Sequence, residues 1–525
     1  MIKQTTVKQG KVRGRSAADP RVIAYLGVPY AAPPIGDLRW HEPVEHPGWD
    51  GVRDCMEFSA IPMQSKPGPK GNNVYDNEWQ VDPTITLSED CLTCNIWTPA
   101  KSTDEKLPVF FWIYGGALQW GNSAEMEFDG ERIARRGIVV VTINYRLNVF
   151  GFFAGKDSKG NKVTKNIGNL DQQFALKWVY ENIAAFGGDP ENITVGGQSA
   201  GGGSTMSQLN CAANKPYIKK AIVLSGMFRN PYFEPFATNT EEMEAQSDEF
   251  LAFLGVDSLE EARKLPAEFI RDKNDQFGKM WFTIIDGQFQ TDKCDTNVIK
   301  GTFLDVPMMH GWTNNEFFNS IIVDSVDEIE EKAKEIFGDM ADEWLSLVDT
   351  SQGIEKAKKD SEVAAVEVSN RLLPIMCKEA GYVSPHYIYE FGPYIPGYDN
   401  PGAFHSSDLW FFFETLAKCW RPFTGQHYDL ARQMCNYWCN FIKTGDPNNN
   451  GETATVAEKV AKDPYAPRNS SNFYFDESEL PEWKAYTPED PEIMYFHDAA
   501  KLKCTPASPM MDFCVRYHKK LAEKK

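Results

Sequence analysis

The sequence predicts an α/β protein with a mostly parallel central sheet, helices on both faces of that sheet, and helical insertions. Two apolar runs of strand length, residues 107–114 and 138–146, fit strands that are buried on both faces. Residues 170–186 instead place apolar side chains three and four positions apart, which is the spacing of an amphipathic helix. Strands that alternate with helices in this way are typical of a parallel sheet covered on both sides.

The N-terminal part is predicted to contain short strands separated by irregular segments. Residues 1–60 begin with short alternating strands. Residues 27–40 contain several prolines and glycines, so we expect an ordered loop or a packed edge there. Residues 64–87 are polar and rich in proline, glycine and asparagine, which predicts an exposed loop with Trp79 as a packing anchor.

The second half of the chain adds helical insertions to the sheet pattern. Charged amphipathic stretches at about 238–280 and 325–380 look like insertions rather than further sheet units. No internal repeat or long linker interrupts the alternation, so we predict a single domain over residues 1–525. The other predicted elements are strands at 306–312 and 385–390, a helix at 428–444 and a polar loop at 445–470.

The composition narrows the class of protein. With 42% hydrophobic and 13% aromatic residues, the chain of 525 residues builds a large core. The formal net charge of −20 argues against a nucleic-acid partner and against binding to anionic membranes. No apolar run is long enough to cross a bilayer, and the first residues lack the apolar core of a signal peptide. These features fit a protein that acts on neutral or cationic small molecules.

The eleven cysteines indicate reduced thiols. Their number is odd, and the one Cys91-x-x-Cys94 motif has no second copy at zinc-binding spacing. We therefore expect a cytoplasmic protein, with secretion as the alternative if a signal peptide has been removed.

The glycine-rich segment 192–203 carries the most informative motif. Three β-branched residues at 193–195 predict a buried strand, and Gly197-x-Ser199-x-Gly201 follows them. In this pattern, a nucleophile elbow, a strand turns sharply into a helix and holds one serine at the apex. The alternative is an ordinary glycine-rich turn, but the preceding strand favours the elbow.

A serine nucleophile needs a base and an acid, and in this arrangement the acid and then the histidine follow the serine along the chain. His405 lies in a glycine-bearing loop before an aromatic helix and is the best-placed histidine. Glu316 follows a predicted strand, but many carboxylates lie in the same interval, so spacing alone favours it only slightly. The other histidines after Ser199 are His310, His386, His427, His497 and His518.

Along most of its length, the sequence resembles the type B carboxylesterase family, which also contains the cholinesterases. The matching segments occur in family order from about residue 20 to residue 450, and chance does not account for so many ordered matches. They are residues 27–40, 88–92, 112–118, 144–146, 169–178, 186–202, 285–287, 311–318 and 405–411.

The resemblance implies an α/β-hydrolase fold and a serine carboxylesterase that hydrolyses small-molecule esters with no metal or organic cofactor. By position, it implies Ser199 as nucleophile, His405 as base and Glu316 as acid. Ser225 and Asp408 resemble a serine and an acid found near the triad in this family, although ordinary hydrogen bonding explains them equally well.

The resemblance also implies an oxyanion hole made by the backbone N–H groups of Gly116, Ala117 and Ala200. Ala117 replaces a family glycine, but only its N–H group is needed. Gln198 replaces the glutamate that usually precedes the nucleophile, which should weaken the attraction for cationic substrates such as choline esters. Phe317 replaces the glycine that usually follows the acid.

A further departure concerns a disulfide. Secreted relatives pair the equivalent of Cys91 with an upstream cysteine that precedes a glutamine, and here Met63 precedes Gln64. This difference supports a cytoplasmic and bacterial setting.

Three other functions stay open from the sequence. One is a non-catalytic binding relative, which the presence of all three triad residues disfavours. The others are a lipase for longer-chain acylglycerols and a phenolic, feruloyl-type esterase, which aromatic residues suggest only weakly because they are more often core residues than substrate platforms. The aromatic candidates are Trp79, Trp120, Trp281 and Phe404.

Overall fold

The computed structural model describes residues 1–68, 74–79, 81–157, 159, 163–233, 239–449 and 480–524. The strands are β1 Gln4–Val7, β2 Gly10–Arg13, β3 Arg15–Ser16, β4 Ile23–Pro29, β5 Val52–Asp54, β6 Thr93–Thr98, β7 Leu107–Ile113, β8 Val139–Ile143, β9 Gly188–Gln198, β10 Lys220–Leu224, β11 Met308–Thr313, β12 Phe318–Asn319, β13 Val363–Ala364, β14 His386–Phe391, β15 Glu492–Phe496 and β16 Ala500–Cys504. The helices are α1 Val74–Glu78, α2 Glu131–Ala134, α3 Asn148–Phe152, α4 Ile167–Asn182, α5 Ala200–Asn210, α6 Thr240–Leu254, α7 Leu259–Ala262, α8 Ala267–Phe277, α9 Cys294–Ile299, α10 Ile329–Phe337, α11 Ala341–Leu345, α12 Ile354–Asp360, α13 Ala365–Glu379, α14 Leu409–Phe412, α15 Gly425–Thr444 and α16 Pro509–Glu523.

Eleven strands form one sheet in the order β16-β15-β14-β11-β10-β9-β7-β8-β6-β4-β3. The strands from β8 to β15 in this order run parallel, and the pairs at both edges are antiparallel. The order along the sheet reverses around β7, which lies between β8 and β9. In open α/β sheets, the crevice at such a reversal, outside the carboxyl ends of the strands, is where ligands bind.

The central strands are buried because their side chains are apolar on both faces. All five residues of β8 are fully buried, and so are the residues of β7 from Val109 to Ile113. Helices α4, α5 and α15 contact the central strands and cover this apolar surface. The predicted mostly parallel sheet with helical cover is therefore confirmed.

The structure also confirms most of the predicted elements. The runs at 107–114, 138–146, 306–312 and 385–390 form β7, β8, β11 and β14. Helices α6 to α8 fall in the first predicted insertion, and α10 to α13 fall in the second, with the short strand β13 between α12 and α13.

Two local predictions were wrong. Strand β4 extends to Pro29, so the proline-rich segment 27–40 begins inside the sheet. The segment 64–87 contains helix α1, and Gln64 and Glu78 in it are buried. The reason is that Gln64 exchanges hydrogen bonds with the backbone of Gly121, and the carboxylate of Glu78 pairs with the buried guanidinium of Arg421.

Residues 450–470 of the predicted polar loop lie outside the described residues. Within the described ranges, no helix has the length and apolar character needed to cross a membrane.

Candidate active site

Four strand ends of the parallel sheet bring the predicted site residues together. Gly116 and Ala117 follow β7, Ser199 follows β9, Glu316 follows β11, and His405 lies on the loop after β14. Because these strands are parallel and close in the sheet order, their carboxyl ends open onto one crevice.

Ser199 is held in a conformation that few residues other than glycine adopt. Its backbone has φ 55° and ψ −127°, between the end of β9 and the start of α5. The strain persists because the flanking glycines allow very close packing. A Cβ atom at Gly197 would lie 2.2 Å from the carbonyl oxygen of Gly201, and one at Gly201 would lie 2.1 Å from that of Ile113. The motif therefore forms the predicted elbow with the serine at its apex.

A continuous hydrogen-bonded chain joins the three predicted triad residues. The distance from Ser199 Oγ to His405 Nε2 is 2.8 Å, and the distance from His405 Nδ1 to Glu316 Oε2 is 2.7 Å. An ionised carboxylate only accepts hydrogen bonds, so Nδ1 carries a proton and Nε2 is left as the acceptor for the serine hydroxyl. This is the tautomer that a general base requires.

The electrostatics of the buried pair favour charge separation. Burial lowers the pKa of His405, but the carboxylate of Glu316 outweighs burial and raises that pKa above its ordinary value. Burial raises the pKa of Glu316, but His405 and the hydrogen bonds at the carboxylate outweigh it, so that pKa is lowered. The site therefore stabilises an imidazolium next to a carboxylate.

Further side chains hold Glu316 in place. The backbone N–H and the hydroxyl of Thr313, the last residue of β11, donate to Glu316 Oε1 at 3.2 and 3.0 Å. Ser225 is fully buried near the same carboxylate, but its hydroxyl lacks good hydrogen-bond geometry to any partner in the described structure. The sequence analysis did not identify Thr313 as a partner of Glu316. Its position three residues before the acid could have indicated this contact.

Asp408 lies behind the pair of Glu316 and His405. Its Oδ2 accepts a hydrogen bond of 2.7 Å from the hydroxyl of Tyr389 on β14. Burial raises the pKa of Asp408 to about 7, and the negative charge of Glu316 adds to this effect. Asp408 therefore titrates near neutral pH beside the candidate base.

Gln198 contacts the same imidazole nitrogen as the serine does. Its side-chain amide nitrogen lies 3.2 Å from His405 Nε2. The amide and the serine hydroxyl therefore point to the same lone pair, that of His405 Nε2. Because Gln198 is neutral, Glu316 has no second negative charge beside it at position 198. The sequence indicated the missing charge, but it did not indicate this contact.

The loop after β7 carries free backbone donors. Gly116 has φ 104° and Ala117 has φ 54°, so the chain turns back on itself and its carbonyl at Gly116 accepts from the N–H groups of Gln119 and Trp120. Among the described hydrogen bonds, none uses the N–H group of Gly116, Ala117 or Ala200. Donors that are left unpaired next to a serine are suited to stabilise a developing oxyanion.

Aromatic side chains surround His405 unevenly. The Phe317 ring centroid lies 4.9 Å from that of His405, and 52% of Phe317 is exposed. Phe404 is buried against Trp79, 5.6 Å away, so both are packing residues next to the site. Trp281 is wrong as a substrate platform because it is fully buried and donates to Asn274.

Trp120 is the one candidate platform residue that stays at the surface near the loop after β7. It is 41% exposed. Its backbone N–H donates to the carbonyl of Gly116, which keeps the residue close to the free donors.

The remaining histidines are not near the serine in any described contact. His310 and His386 form a buried pair between neighbouring strands. His427 caps the start of α15, and His497 lies 3.3 Å from Glu390. His518 is buried on α16. The choice of His405 from its loop position is therefore consistent with the geometry.

Comparisons with known proteins agree with the fold. Residues 2–514 match the model of the carboxylesterase family. Similar proteins include a para-nitrobenzyl esterase of Bacillus subtilis, 31% identical over 84% of this chain and 90% of its own length. A fumonisin B1 esterase of Sphingopyxis macrogoltabida is 32% identical over 81% of this chain and 80% of its own length. A human cocaine esterase is 31% identical over 85% of this chain and 84% of its own length.

Solved structures agree as well. A PNB esterase superposes with a TM-score of 0.75 at 26% identity, covering 98% of this chain and 99% of its own. A carboxylesterase of Geobacillus stearothermophilus superposes with a TM-score of 0.73 at 26% identity, covering 97% and 99%.

Proposed function

We propose that Ser199, His405 and Glu316 are the catalytic triad of this chain, which belongs to the carboxylesterase family and is a carboxylic ester hydrolase with the α/β-hydrolase fold. The observation that carries the proposal is the unbroken hydrogen-bonded chain from Glu316 through His405 to Ser199, with distances of 2.7 and 2.8 Å.

In the first half of the reaction, Ser199 Oγ attacks the ester carbonyl while His405 Nε2 takes its proton. Glu316 holds the imidazole in the required tautomer and stabilises the imidazolium that forms. When the tetrahedral intermediate collapses, His405 gives the proton to the alcohol oxygen. The alcohol leaves, and an acyl group stays on the serine.

The oxyanion of each tetrahedral intermediate is held by the backbone N–H groups of Gly116, Ala117 and Ala200. These groups have no other partner among the described residues, and they lie at the ends of β7 and β9, which supports this role. One such donor contributes about 3 kcal/mol to the stability of a transition state. In the second half of the reaction, water replaces the alcohol, and the same groups repeat the steps until the carboxylic acid leaves.

The substrates that we propose are uncharged small-molecule esters. By their names, the relatives act on para-nitrobenzyl, fumonisin B1 and cocaine substrates, so the family accepts more than one kind of ester. Gln198 adds no negative charge beside His405, which disfavours a quaternary ammonium substrate.

We also propose a reducing, cytoplasmic setting. All eleven cysteines are free thiols. Met63 and Cys91 line one small cavity, so a methionine lies on the side where secreted relatives provide the second half-cystine. Buried thiols of this kind need no oxidant to fold.

The experiment that tests the triad is hydrolysis of p-nitrophenyl esters from acetate to palmitate by Ser199→Ala. We expect kcat/KM to fall by at least about 10⁴-fold with the fold intact. Ser207→Ala, on the same helix α5, is the matched control and should keep the wild-type rate. A fluorophosphonate should phosphonylate Ser199 with loss of fluoride. Mass spectrometry should detect the adduct on the wild-type peptide that contains Ser199 and on no peptide of Ser199→Ala. Turnover by Ser199→Ala within tenfold of wild type would refute the assignment.

A further inference from the structure

Phe317 stands out among the aromatic residues near the site because it touches the base and is also open to solvent. Its ring centroid is 4.9 Å from that of His405, with 43° between the ring planes. The ring centroid of Phe228 is 6.4 Å from that of His405, but Phe228 packs against the small apolar cluster around Trp312. Phe317 is therefore the ring that offers apolar surface to a ligand at the base.

The backbone on both sides of Phe317 is held in place. Glu316, directly before it, is bonded to His405 and Thr313. Phe318, directly after it, pairs with Ala364 in the sheet of β12 and β13. With both neighbours anchored, the backbone keeps Phe317 beside the imidazole, and an aromatic wall that is already in place costs little entropy when a ligand packs on it.

The sheet order tells which part of an ester would reach this wall. Ser199 follows β9, the free N–H groups for the carbonyl oxygen follow β7 on one side, and Glu316 and Phe317 follow β11 on the other side. His405 gives its proton to the alcohol oxygen, so that oxygen must come within hydrogen-bond distance of Nε2. The alcohol group then extends over the imidazole on the β11 side. The acyl chain starts from the carbonyl carbon, whose oxygen the β7 loop holds.

We propose that Phe317 is the residue that selects the alcohol part of the ester, and that it favours benzylic or other aromatic alcohols over small alkyl alcohols. This inference rests on the proposed triad, since it takes the proton path from His405 to define the alcohol side. A ring that is more than half exposed in the free enzyme gains edge or face contact with an aromatic alcohol and loses water from both surfaces.

Phe318 provides a matched control. It is 53% exposed, close to the 52% of Phe317, and is its neighbour in the chain. Successive side chains of an extended segment point to opposite faces. In the described structure, Phe318 makes no ring contact with His405, so the two positions differ in that contact and not in exposure.

The test compares kcat/KM for benzyl acetate and ethyl acetate, which share one acyl group and have alcohols of similar acidity. In Phe317→Ala, we expect the benzyl-to-ethyl ratio to fall by roughly three- to tenfold from the wild-type value. Phe317→Tyr keeps the ring and should keep the ratio, and Phe318→Ala should leave it within about twofold. The ratio of benzyl butyrate to benzyl acetate should stay unchanged in every variant.

Three results would overturn the proposal. One is an unchanged benzyl-to-ethyl ratio in an active Phe317→Ala enzyme, which leaves the triad intact. Another is a shift of the butyrate-to-acetate ratio in place of the benzyl-to-ethyl ratio, which would put Phe317 on the acyl side. The third is full activity of Ser199→Ala, which would remove the triad and the alcohol side together.

Discussion

In the proposed triad, His405 determines how the activity depends on pH, because its imidazole must be neutral to accept a proton in each half of the reaction. Its pKa is raised above the ordinary value of about 6.5, since Glu316 outweighs the effect of burial. The base works only when the imidazole is neutral. The sign is therefore fixed: kcat/KM is lost as the pH falls through the raised pKa of His405, and it reaches its plateau above that pKa.

Because Gln198 contacts His405, a charged substitution at position 198 should shift the pKa of His405 and with it the pH dependence of kcat/KM. In Gln198→Glu, a carboxylate replaces an amide 3.2 Å from Nε2, and an opposite charge at that range raises the pKa of an imidazole. We expect the acid limb of kcat/KM to move to higher pH by about 1–3 units. The pH profile for p-nitrophenyl acetate measures this shift.

The control for this variant is Gln198→Met, which removes the amide and adds no charge. Its acid limb should stay near that of the wild type. If the acid limb of kcat/KM lay at the same pH in Gln198→Glu and in the wild type, position 198 would not be close to the base.

At the level of elements, the strand β9, the turn at Ser199 and helix α5 act as one rigid unit. Its close packing depends on glycines, but not on all of them. A Cβ atom at Gly201 would lie 2.1 Å from the oxygen of Ile113, whereas the nearest atom to a Cβ at Gly203 is the oxygen of Gly226 at 3.4 Å. Both glycines lie in α5, so the difference between them is one of space and not of helix propensity.

Alanine substitutions at these two positions should therefore have opposite effects on stability. We expect Gly201→Ala to lower the free energy of unfolding by roughly 3 kcal/mol or more, because backbone must move to make room. Gly203→Ala should raise it by about 0.5–1 kcal/mol, since alanine loses less backbone entropy in a helix than glycine does. Urea midpoints measure both effects, and a stable, active Gly201→Ala enzyme would contradict the packing of the turn.

At the level of the whole molecule, a buried pair of histidines joins two strands in the middle of the sheet. His310 on β11 and His386 on β14 are 3.0 Å apart from Nε2 to Nδ1, and Asn370 on α13 lies 2.6 Å from His310 Nδ1. Burial lowers the pKa of His310 to about 4. It also lowers that of His386, and the charge of His310 adds to the effect.

This pair makes the fold sensitive to acid. The unfolded chain takes up protons at these histidines below a pH of about 6.5, whereas the folded chain does not. The free energy of unfolding must therefore fall as the pH drops below that value. In His386→Gln, the amide still reaches His310 but does not titrate, so the loss of stability between pH 7.5 and 5.0 should shrink by about 2 kcal/mol.

The measurement is urea unfolding of wild type and variant at both pH values. His41→Gln is the control, because His41 is exposed and lies outside the core, and its pH dependence should match that of the wild type. An equal loss of stability in His386→Gln and the wild type would contradict the proposed source of the acid sensitivity.

The sequence alone predicted the parallel sheet, the elbow at Ser199 and His405 as its base. These features depend on local patterns, namely apolar runs of strand length, glycines around a serine, and the order of residues along the chain. The choice of Glu316 among many carboxylates depended on the family resemblance, because spacing along the chain does not say which carboxylate reaches the base. The prediction that residues 1–525 form a single domain stays a prediction.

Only the tertiary structure decided which side chains surround the imidazole. Gln198, Thr313 and Phe317 lie at the ends of two strands that the sequence separates by more than 100 residues, and sheet pairing brings them to one crevice. The same is true of Glu78, which the polar composition of its segment placed at the surface but which Arg421 draws into the core. Local patterns are set by neighbours in the chain, whereas these contacts depend on partners that are distant in sequence. That difference in range is why the sequence predicted the fold and the chemistry, whereas the side chains around the imidazole became known only from the structure.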